Sequence, residues 1–468
     1  MATTAGRDIP RSCRTRKEHP MSRQAHVLAL ALLTGVIGVS SALGANQATT
    51  RYGSTGSVAN RYPYTVVDVG TFGGPNSQQN PGRSLLNDGT AIGANADTPV
   101  PDPNAPICFS DCYVSPAFEW LHGQLLNLGA LPGPNGSCAV WLSDNHLIAG
   151  VSENGVNQEA GWQRTEAVLW RNGSMIDLGA LGGDQSSAAA VNDQGQVVGT
   201  ALNGVTDPVP NNAGLVGNAN CDTPINTTEA RAFLWQKGVM HDLGTLGGPD
   251  AGANLINDHG QVAGQSFTNA TVNASTGYPT LDPFLWQNGK MRDVGTLGGT
   301  SGMATWLTQS GLVTGTSDLA GDQTHHAFRF DGSLHDLGTL GGANSEAMEA
   351  NHAGDIVGRA DFSPSSPYHH AYLWRNRKMT DLGTVDGGPN STAYGIHAHD
   401  QVVGDGSNTH AWLWQNGTIA DLNTLIPPSS DINVTAAAAI NDSGEIYGVG
   451  LTPGGDQHVI LLIPKTHP

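Results

Sequence analysis

The phrase HDLGTLGG occupies residues 241–248 and returns letter for letter at residues 335–342. Six looser copies bring the total to eight, and they are VDVGTFGG (67–74), LNLGALPG (126–133), IDLGALGG (176–183), RDVGTLGG (292–299), TDLGTVDGG (380–388) and ADLNTLIP (420–427). The Asp or Asn of successive copies is 40 to 65 residues apart. Such a period is typical of solenoids, propellers and arrays. The repetition overrides the domain number suggested by length alone and predicts one repeat domain over residues 63–465.

Each copy belongs to a longer pattern of alternating strands and turns. Around the copy at 241–248, the run AFLW (232–235) and the run VMHDLG (239–244) flank a short turn, and LIND (255–258) and QVAG (261–264) flank another. The second hairpin and the leading strand of the first hairpin each occur eight times, and several first turns are Asn-Gly, which suits a tight type I′ turn. With 62 Gly and only 13% charged residues, the chain is predicted to be all-β, with four short strands per repeat.

The two ends of the repeat region complement each other. The first DLG-type strand (64–70) has no AFLW-type strand before it, and the last AFLW-type strand (458–464) has no DLG-type strand after it. If these strands pair, the chain closes into an eight-bladed β-propeller of four-stranded antiparallel blades without a free edge. A linear β-solenoid and a seven-bladed ring are the alternatives. Long insertions follow the GQVVG-type strands, so they lie on one face, the inserted-loop face, which we expect to bind.

The N-terminal region differs from the repeats. Residues 1–45 combine basic residues, an apolar run (27–39) and small residues, which is the pattern of a signal peptide, with Met21 as a possible true start. The apolar run is too short for a typical spanning helix, although a retained anchor is an alternative. Residues 46–62 are interpreted as a flexible linker. We expect a secreted, extracellular or periplasmic monomer without a membrane span after cleavage.

The net charge argues against one class of partner, and the cysteine content predicts disulfide bonds. Residues 46–468 carry 15 basic and 38 acidic side chains, a formal charge of −23, which disfavours nucleic acid as a partner. Four cysteines remain in this region, and in an exported chain an even number favours disulfides. Free thiols and a zinc site are the alternatives. The disulfide candidates are Cys108, Cys112, Cys138 and Cys221.

Three linked phrases resemble the bacterial HAF-repeat proteins, a class of probable extracellular repeat proteins. Histidine, alanine and an aromatic residue stand together at 326–328, 370–372 and 410–412, each before a DLG-type phrase and an IND-x-G-QVVG-type phrase. The resemblance covers about residues 64–464. Other copies depart from it, with Arg-Ala-Phe at 231–233 and no Gly-Gly pair at 420–427. It implies an exported repeat protein and brings no catalytic residues.

Aromatic and histidine side chains are the main binding candidates. The Trp that ends the AFLW run, with Phe330 in the same register, is interpreted as packing between repeats. Trp162, Trp306 and Trp412 fall outside that column and are better candidates for a ligand surface. The histidines that open three AFLW-type strands are low-specificity ligand candidates, against simple hydrogen bonding at a strand edge: His326, His370 and His410.

The sequence shows no established catalytic motif. The Asp of the DLG phrase is interpreted as an acceptor for backbone N–H groups in its turn, and the spacing of a calcium loop is absent. Elbow, zinc-protease and P-loop signatures are also absent. We therefore predict no cofactor or metal and a binding or scaffold module for an extracellular glycan, small molecule or protein. A propeller-fold hydrolase or lyase acting on polysaccharide, and a purely structural envelope protein, are the alternatives.

Overall fold

The computed structural model describes residues 63–80, 82–102, 113–133, 135–157, 163–209, 228–364, 366–397, 400–407 and 410–465. The expected signal peptide and linker, residues 1–62, lie outside this part of the chain. The described residues form short antiparallel strands with two 3-10 turns, Leu422–Thr424 and Pro428–Ser430. Among them, no helix has the length and apolar character needed to span a bilayer. The all-β prediction is confirmed.

Each of the eight sequence copies is followed by a group of strands, and these groups are numbered here as repeats 1 to 8. β1 (Tyr64–Asp68) comes before repeat 1. Repeat 1 contains β2 (Ser77–Gln78), β3 (Ala91–Gly93), β4 (Asn95–Ala96), β5 (Ala117–Leu121) and β6 (Gln124–Gly129). Repeat 2 contains β7 (Ser137–Leu142), β8 (Ile148–Asn157), β9 (Gln163–Arg171) and β10 (Ser174–Asp177). Repeat 3 contains β11 (Ser186–Val191), β12 (Val197–Thr206), β13 (Thr228–Gln236) and β14 (Val239–Asp242).

The later repeats keep the same order. Repeat 4 contains β15 (Ala251–Ile256), β16 (Val262–Phe267), β17 (Leu281–Gln287) and β18 (Lys290–Asp293). Repeat 5 contains β19 (Gly298–Leu307), β20 (Val313–Leu319), β21 (His325–Phe330) and β22 (Leu334–Asp336). Repeat 6 contains β23 (Ser345–Ala350), β24 (Ile356–Asp361), β25 (His369–Arg375) and β26 (Lys378–Gly383). Repeat 7 contains β27 (Ser391–Ile396), β28 (Val402–Gly406), β29 (His410–Gln415) and β30 (Thr418–Asp421), and repeat 8 contains β31 (Asn433–Ile440), β32 (Ile446–Leu451) and β33 (Gln457–Pro464).

Repeats 2 to 7 each form a four-stranded antiparallel meander, as the two hairpins predict. The sheets of repeats 4 and 5 are joined by one parallel pairing between Leu281 and Ser301. Repeat 1 is irregular, with a three-stranded sheet β3-β5-β6 and a separate ribbon of β2 and β4. The first strands of neighbouring repeats contact one another, so these inner strands lie on the side where the sheets converge.

The first strand of the chain pairs with the last one. β1 runs antiparallel to β33, with Val66 opposite Leu462 and Asp68 opposite Ile460, and completes the sheet β1-β33-β32-β31. Each terminus therefore supplies the strand that the other lacks, and this predicted pairing is confirmed.

The Asn-Asp-x-Gly turns connect neighbouring repeats. The Asn192 side-chain amide donates to the carbonyl oxygen of Asn257 over 3.1 Å, and that of Asn257 donates to Thr308 over 3.1 Å. The same contact links repeat 8 to repeat 1, because the Asn441 amide donates to the carbonyl oxygen of Leu86 over 2.8 Å. The turn contact found between internal repeats is thus also present between repeat 8 and repeat 1, across the two ends of the chain.

The core is a set of clusters, each shared by neighbouring sheets. The second position of the AFLW run is fully buried in most repeats, and its residues are Phe118, Phe233, Phe284, Phe328, Tyr372 and Trp412. The Trp at the fourth position packs between repeats, as expected, and is buried at Trp170 and Trp235. Trp412 is 0% exposed, and its indole N–H donates to the carbonyl oxygen of Asp405 over 2.7 Å. The expectation that Trp412 is a ligand-surface residue is therefore wrong, since it occupies the Phe position of the core.

Candidate binding site

The inner strands share an irregularity that the sequence analysis missed. In seven repeats the pairing of the inner strand with its neighbour shifts by one residue near the strand end. A β-bulge of this kind bends the strand and re-aims side chains. The residue that follows the bulge varies in chemistry from repeat to repeat, as Trp141, Ala190, Leu255, Trp306, Glu349, Gly395 and Ala439. This column, the bulge column, holds the most distinctive side chains on the converging side.

Two tryptophans of the bulge column meet although their repeats are not adjacent. The ring centroids of Trp141, in repeat 2, and Trp306, in repeat 5, are 5.8 Å apart with an interplanar angle of 41°. Trp141 also packs against the clusters between repeats 2 and 3, 3 and 4, and 4 and 5. Both rings are only half-buried. They therefore leave aromatic surface open to solvent on the converging side of the sheets.

Glu349 occupies the bulge column in repeat 6, next to Trp306 in repeat 5. The inner strands are joined here, because the Thr305 hydroxyl donates to the carbonyl oxygen of Ala347 over 2.8 Å. Burial raises the pKa of Glu349 to about 8, against the opposing effects of the Ile396 N–H and the charge of Arg83. Its surface is nevertheless only partly covered. Glu349 is thus a partly exposed residue whose carboxyl is mostly protonated at neutral pH.

A charged network extends from this region toward the inserted-loop face. Glu346, near the start of β23, accepts a hydrogen bond from Arg359 over 2.8 Å and lies 3.3 Å from the Nε2 atom of His325. Burial alone would raise the pKa of Glu346, but the His325 contact and the Arg359 charge lower it to about 2. Burial and the same Arg359 charge lower the pKa of His369 to about 4. At neutral pH the network therefore holds an ionised Glu346 and a neutral His369.

A second unusual carboxyl lies on the neighbouring repeat. Burial raises the pKa of Asp405, on β28, to about 7, although a hydrogen bond with the Tyr394 side chain and the Arg359 charge act in the other direction. Tyr394 precedes Ile396 by two residues on β27, and the Ile396 N–H binds Glu349. The Glu349 and Asp405 carboxyls therefore both form hydrogen bonds with one short stretch of β27.

We treat these groups, which lie on the first two strands of repeats 2, 5, 6 and 7, as one candidate site and call it the inner-strand recess: Trp141, Trp306, Glu346, Glu349, Arg359, Tyr394 and Asp405. It combines aromatic surface, one carboxylate, two carboxyls with raised pKa values and one guanidinium. Ligand sites commonly have this composition, with an apolar or aromatic lining and a few polar groups that fix orientation.

The three candidate histidines have a common arrangement. Each one opens the third strand of its repeat, and its Nδ1 atom lies 2.9 Å from the Asp carboxylate of the DLG phrase: His326 with Asp336, His370 with Asp381, and His410 with Asp421. These side chains are partly exposed on the inserted-loop face. These contacts are simple hydrogen bonds at a strand edge, which is the alternative to a ligand role. A ligand role for these histidines stays a prediction.

Other repeats place different partners at the same position. In repeat 3, the Arg231 Nε atom lies 3.1 Å from Asp242. In repeat 4, Asp282 faces Asp293, and burial together with the second carboxylate raises the pKa of Asp282 to about 7. Two neighbouring carboxyl groups repel each other when both are ionised, so this pair holds a proton near neutral pH.

The Asp of the DLG phrase accepts a backbone hydrogen bond in its own turn, as predicted. In each repeat its carboxylate, or the equivalent Asn amide oxygen, accepts a hydrogen bond from the backbone N–H two residues later. For example, the Gly244 N–H donates to Asp242 over 2.8 Å. The turn-acceptor interpretation of this column is confirmed.

One group of side chains among the described residues has the donor set of a metal site. The Nδ1 atom of His410 is 2.9 Å from Asp421 and 3.6 Å from Asp386, and the three donor atoms lie within 4.8 Å of one another. Asp386 comes from the extra residue in the phrase TDLGTVDGG, and its side chain is 74% exposed. Exposed carboxylates are ordinarily solvated, so we assign no ion to this group.

Some of the candidate residues lie outside the described part of the chain, and they are Trp162, Cys108, Cys112 and Cys221. The remaining ones are described. Cys138 is buried and disulfide-bonded, which agrees with the disulfide interpretation for this residue. Trp306 lies on an inner strand rather than on the inserted loops.

Sequence comparison with known proteins gives no relative for this chain. No family model matches the chain, and no curated protein matches it. Solved structures resemble it at low similarity. The β-propeller domain of the Trilobed protease from Pyrococcus furiosus is 9% identical, with a TM-score of 0.44 over 74% of this chain and 95% of that one.

Two further solved structures are more distant. Pyrococcus horikoshii acylaminoacyl peptidase is 10% identical with a TM-score of 0.38, over 69% of this chain and 51% of that one. TolB from Acinetobacter baumannii is 11% identical with a TM-score of 0.28, over 71% of this chain and 80% of that one. At this level of similarity we transfer none of their activities to this chain.

Proposed function

We propose that the eight repeats form a closed eight-bladed β-propeller and that the chain is an exported HAF-repeat protein. The pairing of β1 with β33 supports closure. So does the hydrogen bond from Asn441 to Leu86, which repeats between the ends of the chain the contact found between internal repeats. A shared cluster also joins Phe118 of repeat 1 to Tyr447 of repeat 8. In such a ring the inner-strand recess lies along the central axis.

We propose that the protein is a binding module whose ligand is a carbohydrate held in the inner-strand recess. The observation that carries this proposal is the half-buried pair Trp141 and Trp306, with Glu349 at the same bulge position in the repeat after Trp306. The C–H face of a sugar ring packs on an indole, and its hydroxyls need hydrogen-bond partners. A protonated carboxyl both donates and accepts hydrogen bonds, whereas an ionised one only accepts. The protonated form of Glu349 is therefore the better partner for a sugar hydroxyl.

We expect Trp306→Ala to weaken glycan binding by more than about tenfold, since it removes a central aromatic contact. Trp286→Ala is the matched control, because Trp286 is also a half-buried tryptophan but packs between repeats 3 and 4. Glycan-array screening identifies the ligand, and calorimetry measures its affinity for both variants. Equal affinities for the two variants, or an array without binding, would contradict the proposal.

A second candidate function is cleavage of polysaccharide by a hydrolase or a lyase reaction. Its support is the pair of carboxyl groups in opposite states, with Glu346 ionised and Asp405 holding a proton up to about pH 7. Such separation of pKa values is how carboxyl pairs divide acid and base roles. Asp405 would protonate the oxygen of the departing sugar, while Glu346 would stabilise or attack the cation that forms.

If this second candidate is correct, Asp405→Asn lowers turnover by about 100-fold or more, the usual contribution of a general acid. Activity also falls as pH rises through about 7, because the acid is then deprotonated. Asp282→Asn is the control, since Asp282 has a similar pKa but belongs to the outer hairpin of repeat 4. Absence of turnover across a panel of polysaccharides excludes this candidate and leaves the binding proposal standing.

A further inference from the structure

The join between the two ends of the chain has its own set of polar contacts. β33 pairs with β1, and two of its residues also bind the segment that follows β1. The Gln457 N–H donates to the Asn76 side chain over 3.1 Å, and the Val459 N–H donates to the Ser77 hydroxyl over 2.9 Å. Unlike the pairing of strands within a hairpin, this join closes a loop of nearly the whole repeat region.

His458 lies at this join with both ring nitrogens against oxygen atoms. Its Nδ1 atom is 2.9 Å from one carboxylate oxygen of Asp68 and 3.0 Å from the other. Its Nε2 atom is 3.2 Å from the carbonyl oxygen of Pro75. A carboxylate and a carbonyl only accept, so both nitrogens must carry hydrogens to make both bonds. This geometry requires the imidazolium form.

Among the described residues, the equivalent His-Asp pairs of repeats 5, 6 and 7 make hydrogen bonds through Nδ1 only. In His326, Nδ1 faces Asp336, whereas Nε2 contacts no hydrogen-bond acceptor in the part of the chain that the structure describes. His326 and Asp336 also belong to one hairpin, β21 and β22, whose strands are adjacent in sequence. A neutral imidazole with its hydrogen on Nδ1 therefore satisfies the His326 site but not the His458 site.

We propose that protonated His458 is a clasp that holds the N-terminal strand to the C-terminal strand, and that loss of its proton loosens this join. The groups that face it are Asp68 on β1, the carbonyl oxygen of Pro75 after β1, and the charge of Asp456 just before β33. All of them favour the cation. When the proton is lost, the Nε2 lone pair faces the carbonyl oxygen, and the charge attraction to Asp68 disappears.

The pH range of the clasp follows from the two pKa shifts. The Asp68 hydrogen bond raises the pKa of His458, so its contribution is full below the ordinary histidine value of 6.5 and is lost as pH rises through the folded value. The contact with His458 outweighs partial burial and lowers the pKa of Asp68, so the contribution of Asp68 is lost only as pH falls below the ordinary value of 3.8. The join is therefore strongest in mildly acidic solution.

Hydrogen exchange of the full chain tests this proposal. After correction for the intrinsic pH dependence of exchange, we expect peptides from β1 and β33 to open about threefold to tenfold more often at pH 9 than at pH 6, as for loss of one charge-assisted hydrogen bond. His458→Gln should show the higher opening at both pH values. His326→Gln should leave the pH response of β1 and β33 intact.

A covalent join separates this mechanism from general alkaline loosening. Val66→Cys with Leu462→Cys places a cysteine on each of two directly opposed residues of β1 and β33. Once these are oxidised to a disulfide, the pH response of β1 should vanish. A pH response that survives in His458→Gln, or an unchanged opening of β1 between pH 6 and pH 9 in the wild type, overturns the proposal.

Discussion

Gly264→Ala is expected to destabilise the protein by about 3 kcal/mol or more, at the upper end of what overpacking a core produces. Gly264 lies on β16 opposite Ala253, beside the bulge of the inner strand β15. A methyl group there would overlap the carbonyl oxygen of Gly252 and lie 2.9 Å from the Cα atom of Ala253. Because the obstruction is backbone, no side-chain rotation relieves it. Urea unfolding followed by circular dichroism measures the loss.

Gly238→Ala is the control for this prediction. Gly238 has a φ of +84° in an exposed turn, and an added methyl group would have no atom within 4 Å. Its substitution therefore adds backbone strain alone, about 1 kcal/mol. Equal losses for the two variants would show that the contact with the bulge does not matter.

Phe233→Ala should destabilise the protein by about 3 to 5 kcal/mol, the usual range for removing a buried aromatic ring. Phe233 is 0% exposed and packs in the cluster shared by repeats 2 and 3. Its removal leaves a cavity between these two sheets. The shift of the urea midpoint at constant slope gives the change in free energy.

The matched change is Val239→Ala in the same repeat. Val239 lies on the neighbouring strand β14, and it is 52% exposed. We expect less than about 0.5 kcal/mol, as is usual for a surface position. A small effect of Phe233→Ala would mean that the aromatic column is not the main packing element between repeats.

The turn chemistry was readable from the sequence because it is local. The Asp of each DLG phrase was expected to cap its own turn, and Asp242 binds the Gly244 N–H two residues away. Asn-Gly pairs predicted tight turns, and Asn172 and Gly173 both have positive φ values, 51° and 72°. Interactions that span two or three residues depend on little outside the motif.

The bulge column was not predicted, although the alignment of repeats contained a trace of it. Trp141, Trp306 and Glu349 occupy one register in copies that are otherwise nearly uniform. Predicting side-chain direction from sequence assumes that side chains alternate regularly between the two faces of a strand. The bulge interrupts this alternation, so the sequence does not show where these side chains point. The prediction for Trp412 is wrong for a related reason, because this residue takes the place of Phe in the core column rather than lying outside the repeat pattern.

The sequence by itself determined the number of sequence copies, the two hairpins of repeats 2 to 7 and the match between the first and last strands, since these follow from periodic patterns along the chain. Only the tertiary structure decided that Trp141 meets Trp306 and that Glu349 and Asp405 share one stretch of β27. These groups belong to different repeats, and their proximity and pKa values depend on how separate sheets converge. A pattern along the chain contains no information about that convergence beyond the repeat itself.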